Sequence, residues 1–250
     1  MSKPAVLVTG GAKRIGAVLS RTFAAAGWHV VIHVKDSLQG AQDLAATLPS
    51  AEVVTCDLAD HAAATAMIEA LAARLPDWRV LVNCAAVFNL DTAQEIEPAV
   101  YDEALTVNAM TPALMAQVFL RRARSAGGRR VINFLDQKLL NPNPDFFSYT
   151  MAKQALSAAT TMLAMAQERA EDRVYGLAPG AMLPSFDQRE EEHEISGRMN
   201  LLRRLTDPQE LADAALFMAS GWLASGETIF VDSGQHLLAQ PRDVLYLARQ

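Results

Sequence analysis

Tyr149 and Lys153 lie four residues apart, the spacing that puts two side chains on one face of a helix. A phenol beside an ammonium is a proton-transfer pair. The cation favours the phenolate, lowering the phenol's pKa toward the working pH and making it a usable proton donor. Thirteen residues before the tyrosine stands Asp136, at the end of the apolar run Val131 to Leu135, which is short enough for a buried strand. Pro142 and Pro144 block regular structure in the loop that follows, and a helical pattern begins at Ser148. This order brings a carboxylate, a phenol and an ammonium to the C-terminal edge of a strand, where open α/β sheets bind ligands. The set suits a reductase active site. Taken alone, Asp136 also fits an Asx turn or a strand-end cap.

The elements that must position these groups are legible along the whole chain. Its 250 residues suit one α/β domain, residues 1–250, long enough to bury a sizeable core. No apolar run approaches the ~18 to 20 residues that span a bilayer. The opening MSKPAVLVTG enters a strand with no signal-peptide pattern, so a cytoplasmic protein without a membrane partner is expected. Cys56 and Cys84, both at strand ends, suit free thiols in a reducing compartment. The five histidines show no metal-ligand spacing. A net charge of −6 argues against nucleic acid as a partner.

Ala5 to Val8 reads as the first strand, followed at once by Thr9-Gly10-Gly11-Ala12-Lys13-Arg14-Ile15-Gly16 and a helix to Ala26. Strand, glycine-rich turn and helix start form the context of a dinucleotide-phosphate site. Glycines let the backbone approach a pyrophosphate, and the helix N-terminus offers free N–H groups and a positive dipole end. The second strand, His29 to Val34, ends in Lys35 rather than in the acid that holds a ribose 2′-hydroxyl. With Lys13 and Arg14 on the adjacent turn, Lys35 fits a 2′-phosphate and favours NADPH, although Asp36 stands beside it; by itself Lys35 reads as a loop lysine. Glu52 to Cys56 is followed by Asp57, suited to the adenine amine or to capping the helix that begins near Asp60. Arg79 to Val82 leads into Asn83-Cys84-Ala85-Ala86, whose small side chains would let a nicotinamide lie against the backbone. Phe88 fits either stacking on a flat ring or the core. Tyr101 to Arg124 reads as one long helix containing Asn108, a polar residue that needs partners if buried.

Strand Arg173 to Leu177 closes with Ala178-Pro179-Gly180. The acid-rich stretch after it, with Glu190, Glu191, Glu192 and Glu194, reads as a substrate lid over 181–206 or as a solvated helix face. Asp207-Pro208 starts a helix, and Glu227 to Val231 is the last strand. About seven strands alternating with helices predict an α/β fold: a Rossmann-type, doubly wound parallel sheet, helix-covered on both faces.

Taken together, Thr9 to Gly16, Asp57, Asn83 to Ala86, Asn108, Tyr149 with Lys153, Pro179-Gly180 and Val231-Asp232-Ser233-Gly234 resemble the short-chain dehydrogenase/reductase family over essentially the whole length. The resemblance implies that Tyr149 donates the proton, that Lys153 binds the nicotinamide ribose and tunes the tyrosine, and that Asn108 supports a proton relay. It places Gly10, Lys13, Arg14, Ile15, Gly16 and Lys35 around the cofactor phosphates. Asp57 and Leu58 fall near the adenine, and Asn83, Ala85, Pro179 and Gly180 near the nicotinamide. A homotetramer is implied as well, with helices beginning near Tyr101 and Ser148 at one interface. The tail Gln240 to Gln250 is amphipathic and suits docking on a neighbour or on its own subunit.

Position 136 departs from the family pattern, which has Ser there, and the chain has no Ser between Ser125 and Ser148. A carboxylate would repel a developing alkoxide, which disfavours ordinary ketone reduction. The departure resembles one branch, the pteridine reductases and bacterial dihydromonapterin or dihydrofolate reductases. Those share an Asp at this place, a Lys/Arg-Arg turn like Lys13-Arg14 and an aromatic residue like Phe88; Cys84 and Ala86 differ from that branch. Reducing a pterin C=N bond needs hydride at carbon and a proton at nitrogen, and a carboxyl can deliver that proton. The resemblance therefore implies an NADPH-dependent reductase of a dihydropterin or dihydrofolate, with Arg14, Phe88, Asp136 and Tyr149 around the substrate. The alternatives are a carbonyl reductase of the same fold and a non-catalytic cofactor-binding member.

Overall fold

The computed structural model describes residues 3–185 and 187–250. Seven parallel strands make one sheet in the order β3-β2-β1-β4-β5-β6-β7. They are β1 (Ala5–Thr9), β2 (His29–Val34), β3 (Ala51–Thr55), β4 (Trp78–Asn83), β5 (Arg130–Phe134), β6 (Arg173–Pro179) and β7 (Thr228–Val231). The helices are α1 (Arg14–Ala25), α2 (Leu38–Thr47), α3 (His61–Arg74), α4 (Pro98–Leu105), α5 (Thr111–Arg122), α6 (Phe147–Met165), α7 (Glu190–Ser196), α8 (Pro208–Ala219) and α9 (Val244–Leu247). The expected doubly wound α/β fold is the one observed, with strand ends within about two residues of those read from the sequence.

The central strands are mostly apolar because both faces of the sheet are covered. All five residues of β1 are buried. Successive residues alternate between two cores: Val6 and Val8 pack with Phe23 of α1 and Leu211 of α8, while Ala5 and Leu7 pack with Ile68 of α3 and Phe119 of α5. The strand order reverses between β1 and β4, so a crevice opens beyond their C-terminal ends.

Two features differ from the sequence reading. The helix expected from Tyr101 to Arg124 is interrupted by a π turn, Thr106–Met110, centred on Asn108. Pro112 has no N–H to return to the carbonyl of Asn108 four residues earlier, so the α-helical ladder cannot run through it. The tail, for which docking on a neighbour or on its own subunit stood open, packs on its own subunit: Val244 and Leu245 are buried, and Arg242 pairs with Asp145 at 2.7 Å. No helix among the described residues is long and apolar enough to cross a membrane.

Candidate active site

A cavity of about 550 Å³ occupies the crevice, within the range usual for small-molecule sites. Its floor is the glycine turn. Gly10 has φ +64°, a left-handed conformation that favours glycine, and a methyl group at Gly16 would overlap the Gly10 carbonyl oxygen. Lys13 stands at the N-cap of α1 without a side-chain cap, and the first helical turn holds no acidic residue. The first-turn N–H groups are thus left for a ligand, as a bound phosphate requires.

His33 completes this floor, a role the sequence reading missed. The Gly10 N–H donates to His33 Nδ1 at 3.3 Å, and the Gly11 N–H donates to the His33 carbonyl at 3.0 Å. His33 Nε2 then faces the Cys56 carbonyl at 3.0 Å, which sets the tautomer. Burial lowers the imidazole pKa, keeping the ring neutral and Nδ1 free to accept. Thr9 organises the neighbouring loop, its hydroxyl accepting from the N–H groups of Cys84 and Ala85 at 2.9 and 3.0 Å. A single isolated histidine at a strand end gave no pattern to read.

The wall beyond holds the chemistry. The Tyr149 hydroxyl donates to Asp136 Oδ2 at 3.1 Å, and Asp136 Oδ1 accepts from the Lys138 N–H at 2.8 Å. Lys153 Nζ donates to the Phe134 carbonyl at 2.7 Å and lies 5.5 Å from the centre of the Tyr149 ring. Enclosure raises the Asp136 carboxyl above its ordinary range, against the pull of Lys138 and Lys153. Enclosure also pushes the phenol well up, with the Asp136 carboxylate adding to it, and lowers the Lys153 ammonium to about 8. The sequence reading expected Lys153 to bring the phenol down. With Lys153 turned to a backbone carbonyl and a carboxylate against the hydroxyl, the phenol moves the other way. Enclosure thus favours the protonated form of the Asp136 carboxyl. The Cys84 thiol, also in this wall, is pushed up to about 12 and stays protonated.

Gly10, Lys13, Arg14, Ile15 and Gly16 line the cavity from one side. Ala85, Phe88, Asp136, Tyr149, Lys153, Pro179 and Gly180 line it from the others. Arg14 donates to the Pro184 carbonyl at 2.8 Å, tying the glycine turn to the segment expected as a lid. From that segment Met182, Leu183 and Gln188 reach the cavity; Phe186 lies outside the described residues. Phe88 is not free on both faces: it stacks on Phe146 with ring centres 4.1 Å apart and meets Tyr149 edge-on.

The remaining expected residues stand off the cavity wall. Asn83 is buried in a line of amides and hydroxyls, donating to Asn133 at 2.8 Å, with Asn133 donating to Thr160. Asn108 exchanges two hydrogen bonds with the Val87 backbone, at 2.9 and 2.8 Å, so its side chain holds the loop before Phe88 instead of reaching Tyr149. Leu58 is buried, its carbonyl accepting from Thr111 at 2.7 Å. Lys35 and Asp57 pair with each other at 2.9 Å on the exposed rim. The cap of α3 is Asp60, whose carboxylate accepts from the Ala63 N–H, so the capping alternative for Asp57 falls away.

The sequence profile of a family described as enoyl-(acyl carrier protein) reductase matches residues 10–236. Among solved structures, FolM alternative dihydrofolate reductase 1 from Brucella canis, complexed with NADP, is similar with a TM-score of 0.88 and 32% identity over 96% of each chain. Pteridine reductase 1 of Leishmania tarentolae is 26% identical over 94% of this chain and 96% of its own. D-threitol dehydrogenase of Mycolicibacterium smegmatis is 29% identical over 91% of both.

Proposed function

The chain belongs to the short-chain dehydrogenase/reductase family of oxidoreductases, and we propose that within it the protein is an NADPH-dependent reductase of a dihydropterin or dihydrofolate. The observation that carries this reading is Asp136, an enclosed carboxyl with a raised pKa, hydrogen-bonded to Tyr149 where the family pattern has a serine. An enclosed carboxyl whose protonated form is favoured is a competent acid toward a ring nitrogen, whereas a serine hydroxyl is a poor one. The likeness to the NADP-complexed dihydrofolate reductase and to the pteridine reductase supports the same substrate class.

The residues fit the cofactor. The uncapped first turn of α1 and the glycine turn would hold the diphosphate. Lys13 would face the 2′-phosphate with Lys35, whose charge is shared with Asp57, and Asp57 with Leu58 would flank the adenine. Pro179, Gly180 and Ala85 would bound the nicotinamide, and Lys153 would hold its ribose. NADPH, when bound, supplies the hydride. Asp136 Oδ2 delivers the proton to the substrate nitrogen, and the Tyr149 hydroxyl hydrogen-bonds the resulting carboxylate and orients it. Asn108, through the Val87 backbone, would keep Phe88 in place as one wall of the ring pocket.

A second reading, carbonyl reduction, is favoured by the sugar-alcohol dehydrogenase among the relatives. One panel separates the two: dihydropterins, dihydrofolate and ketones, each with NADPH and with NADH, followed by cofactor absorbance. Turnover of at least one dihydropterin or dihydrofolate with NADPH preferred is expected. Turnover of ketones alone, or equal turnover with NADH, would overturn the proposal.

A cytoplasmic location and a homotetramer complete the proposal. Met110, Met151, Met162 and Met165, exposed along the π turn and α6, give the tetramer an apolar face to bury. Light scattering at micromolar concentration is expected to return four times the chain mass; a monomer mass would contradict it.

A further inference from the structure

We propose that the C-terminal segment from Arg242 to Arg249 is part of the active site, with Asp243 a positioning residue that acts through Lys138 on Asp136; the inference rests on Asp136 delivering the proton. Lys138 is the link. Its backbone N–H donates to Asp136 Oδ1 at 2.8 Å, while its Nζ pairs with Asp243 Oδ2 at 2.5 Å, and both side chains of that pair are close to fully enclosed. The same ammonium reaches the Asp145 carbonyl at 3.4 Å. The Asp145 carboxylate in turn accepts from the Asp243 N–H and from Arg242 Nε, both at 2.7 Å. The loop that begins at Asp136 and ends at the start of α6 is therefore fastened to the tail at two carboxylates.

An aromatic column follows the same path. Tyr246 stacks on Phe146 at 6.1 Å, Phe146 on Phe88 at 4.1 Å, and Phe88 meets the Tyr149 ring edge-on at 4.7 Å. Phe146 has φ +52°, an unfavourable backbone for a bulky residue, and it directly precedes the helix that carries Tyr149. Such a conformation persists where its surroundings over-determine it, and here the tail is one of those surroundings. On the other side, Arg249 binds Asp187 and Glu192 at 3.3 and 3.2 Å, joining the tail to the segment expected as a lid.

A tail that served only to cover the core would need apolar residues alone. This one brings a carboxylate to the cavity wall, and an enclosed ion pair is weak ground for stability because desolvation offsets much of the attraction. The charged groups facing Asp136 are Lys138, Lys153 and Asp243, with the Tyr149 hydroxyl hydrogen-bonded to it. Neutralising Asp243 leaves the Lys138 cation less compensated, so Asp136 loses its proton at lower pH. Neutralising Lys138 has the opposite sign. Because the reaction needs the protonated carboxyl, kcat falls as pH rises through that ionisation.

The test is kcat against pH, with a dihydropterin and NADPH at saturation, for wild type, Asp243→Asn, Lys138→Met and Asp136→Asn. Melting temperature and NADPH affinity are measured in parallel. The alkaline fall is expected to move down by about one pH unit in Asp243→Asn and up by a similar amount in Lys138→Met, with NADPH affinity unchanged. A merely structural role would lower rates or melting temperature without opposite shifts, and curves coinciding with wild type in both variants would overturn the inference. If Lys138→Met fails to fold, Lys138→Arg replaces it: with the charge kept, its fall should stay at the wild-type pH while that of Asp243→Asn moves. A wild-type rate in Asp136→Asn, with the fall unchanged, defeats the proton-delivery reading itself. A fall that vanishes there but stays fixed in the other variants defeats this inference alone.

Discussion

Asp136→Asn is expected to lower kcat for a dihydropterin by about 10² to 10⁴, the usual worth of a general acid, while leaving NADPH affinity nearly unchanged. The amide fits the same space, and its oxygen can still accept from the Lys138 N–H. What changes is the other contact, since an amide N–H₂ placed against Tyr149 donates where the carboxylate oxygen accepted. No proton is then available to the ring nitrogen. Single-turnover rates at saturating NADPH separate this loss from any change in binding; a wild-type rate would reduce Asp136 to a cap on the short helical turn Gln137–Leu139 that follows β5.

Gly16→Ala should abolish useful cofactor binding. A methyl group there overlaps the Gly10 carbonyl oxygen and comes within 2.8 Å of the carbonyl carbon and 3.0 Å of Gly11 Cα. All three obstacles are backbone, so the turn must move and its N–H groups lose their aim. Losing two charge-assisted hydrogen bonds, at about 1.5 to 3 kcal/mol each, weakens NADPH binding by more than about a hundredfold. Fluorescence titration with NADPH measures this, with melting temperature as the control for folding. Wild-type affinity in a folded variant would place the diphosphate elsewhere.

Local signals account for most of what the sequence made legible. Short apolar runs ending at Val34 and Leu135 marked strands buried on both faces, the run ending at Cys56 marked a half-buried edge strand, and Gly10 and Gly16 marked the turn because only a small residue tolerates those contacts. Tyr149 and Lys153 fell on one helix face as their spacing required. Contacts far apart in the chain were not legible. Lys138 and Asp243 meet across more than a hundred residues, and no periodicity encodes that. The direction of the Tyr149 shift was also misread, because it depends on the distance from Asp136 Oδ2 to the phenol and on where Lys153 Nζ turns. The π turn had one visible signal, Pro112, which the apolar pattern around it masked.

The central claim is that the carboxyl at position 136 commits this site to a ring nitrogen rather than to a carbonyl. The ratio of dihydropterin to ketone turnover in Asp136→Ser, relative to wild type, tests it most directly. The serine supplies the hydroxyl of the family pattern and removes the acid, so the ratio should fall by at least about a hundredfold. A ratio that stays at the wild-type value would contradict the account.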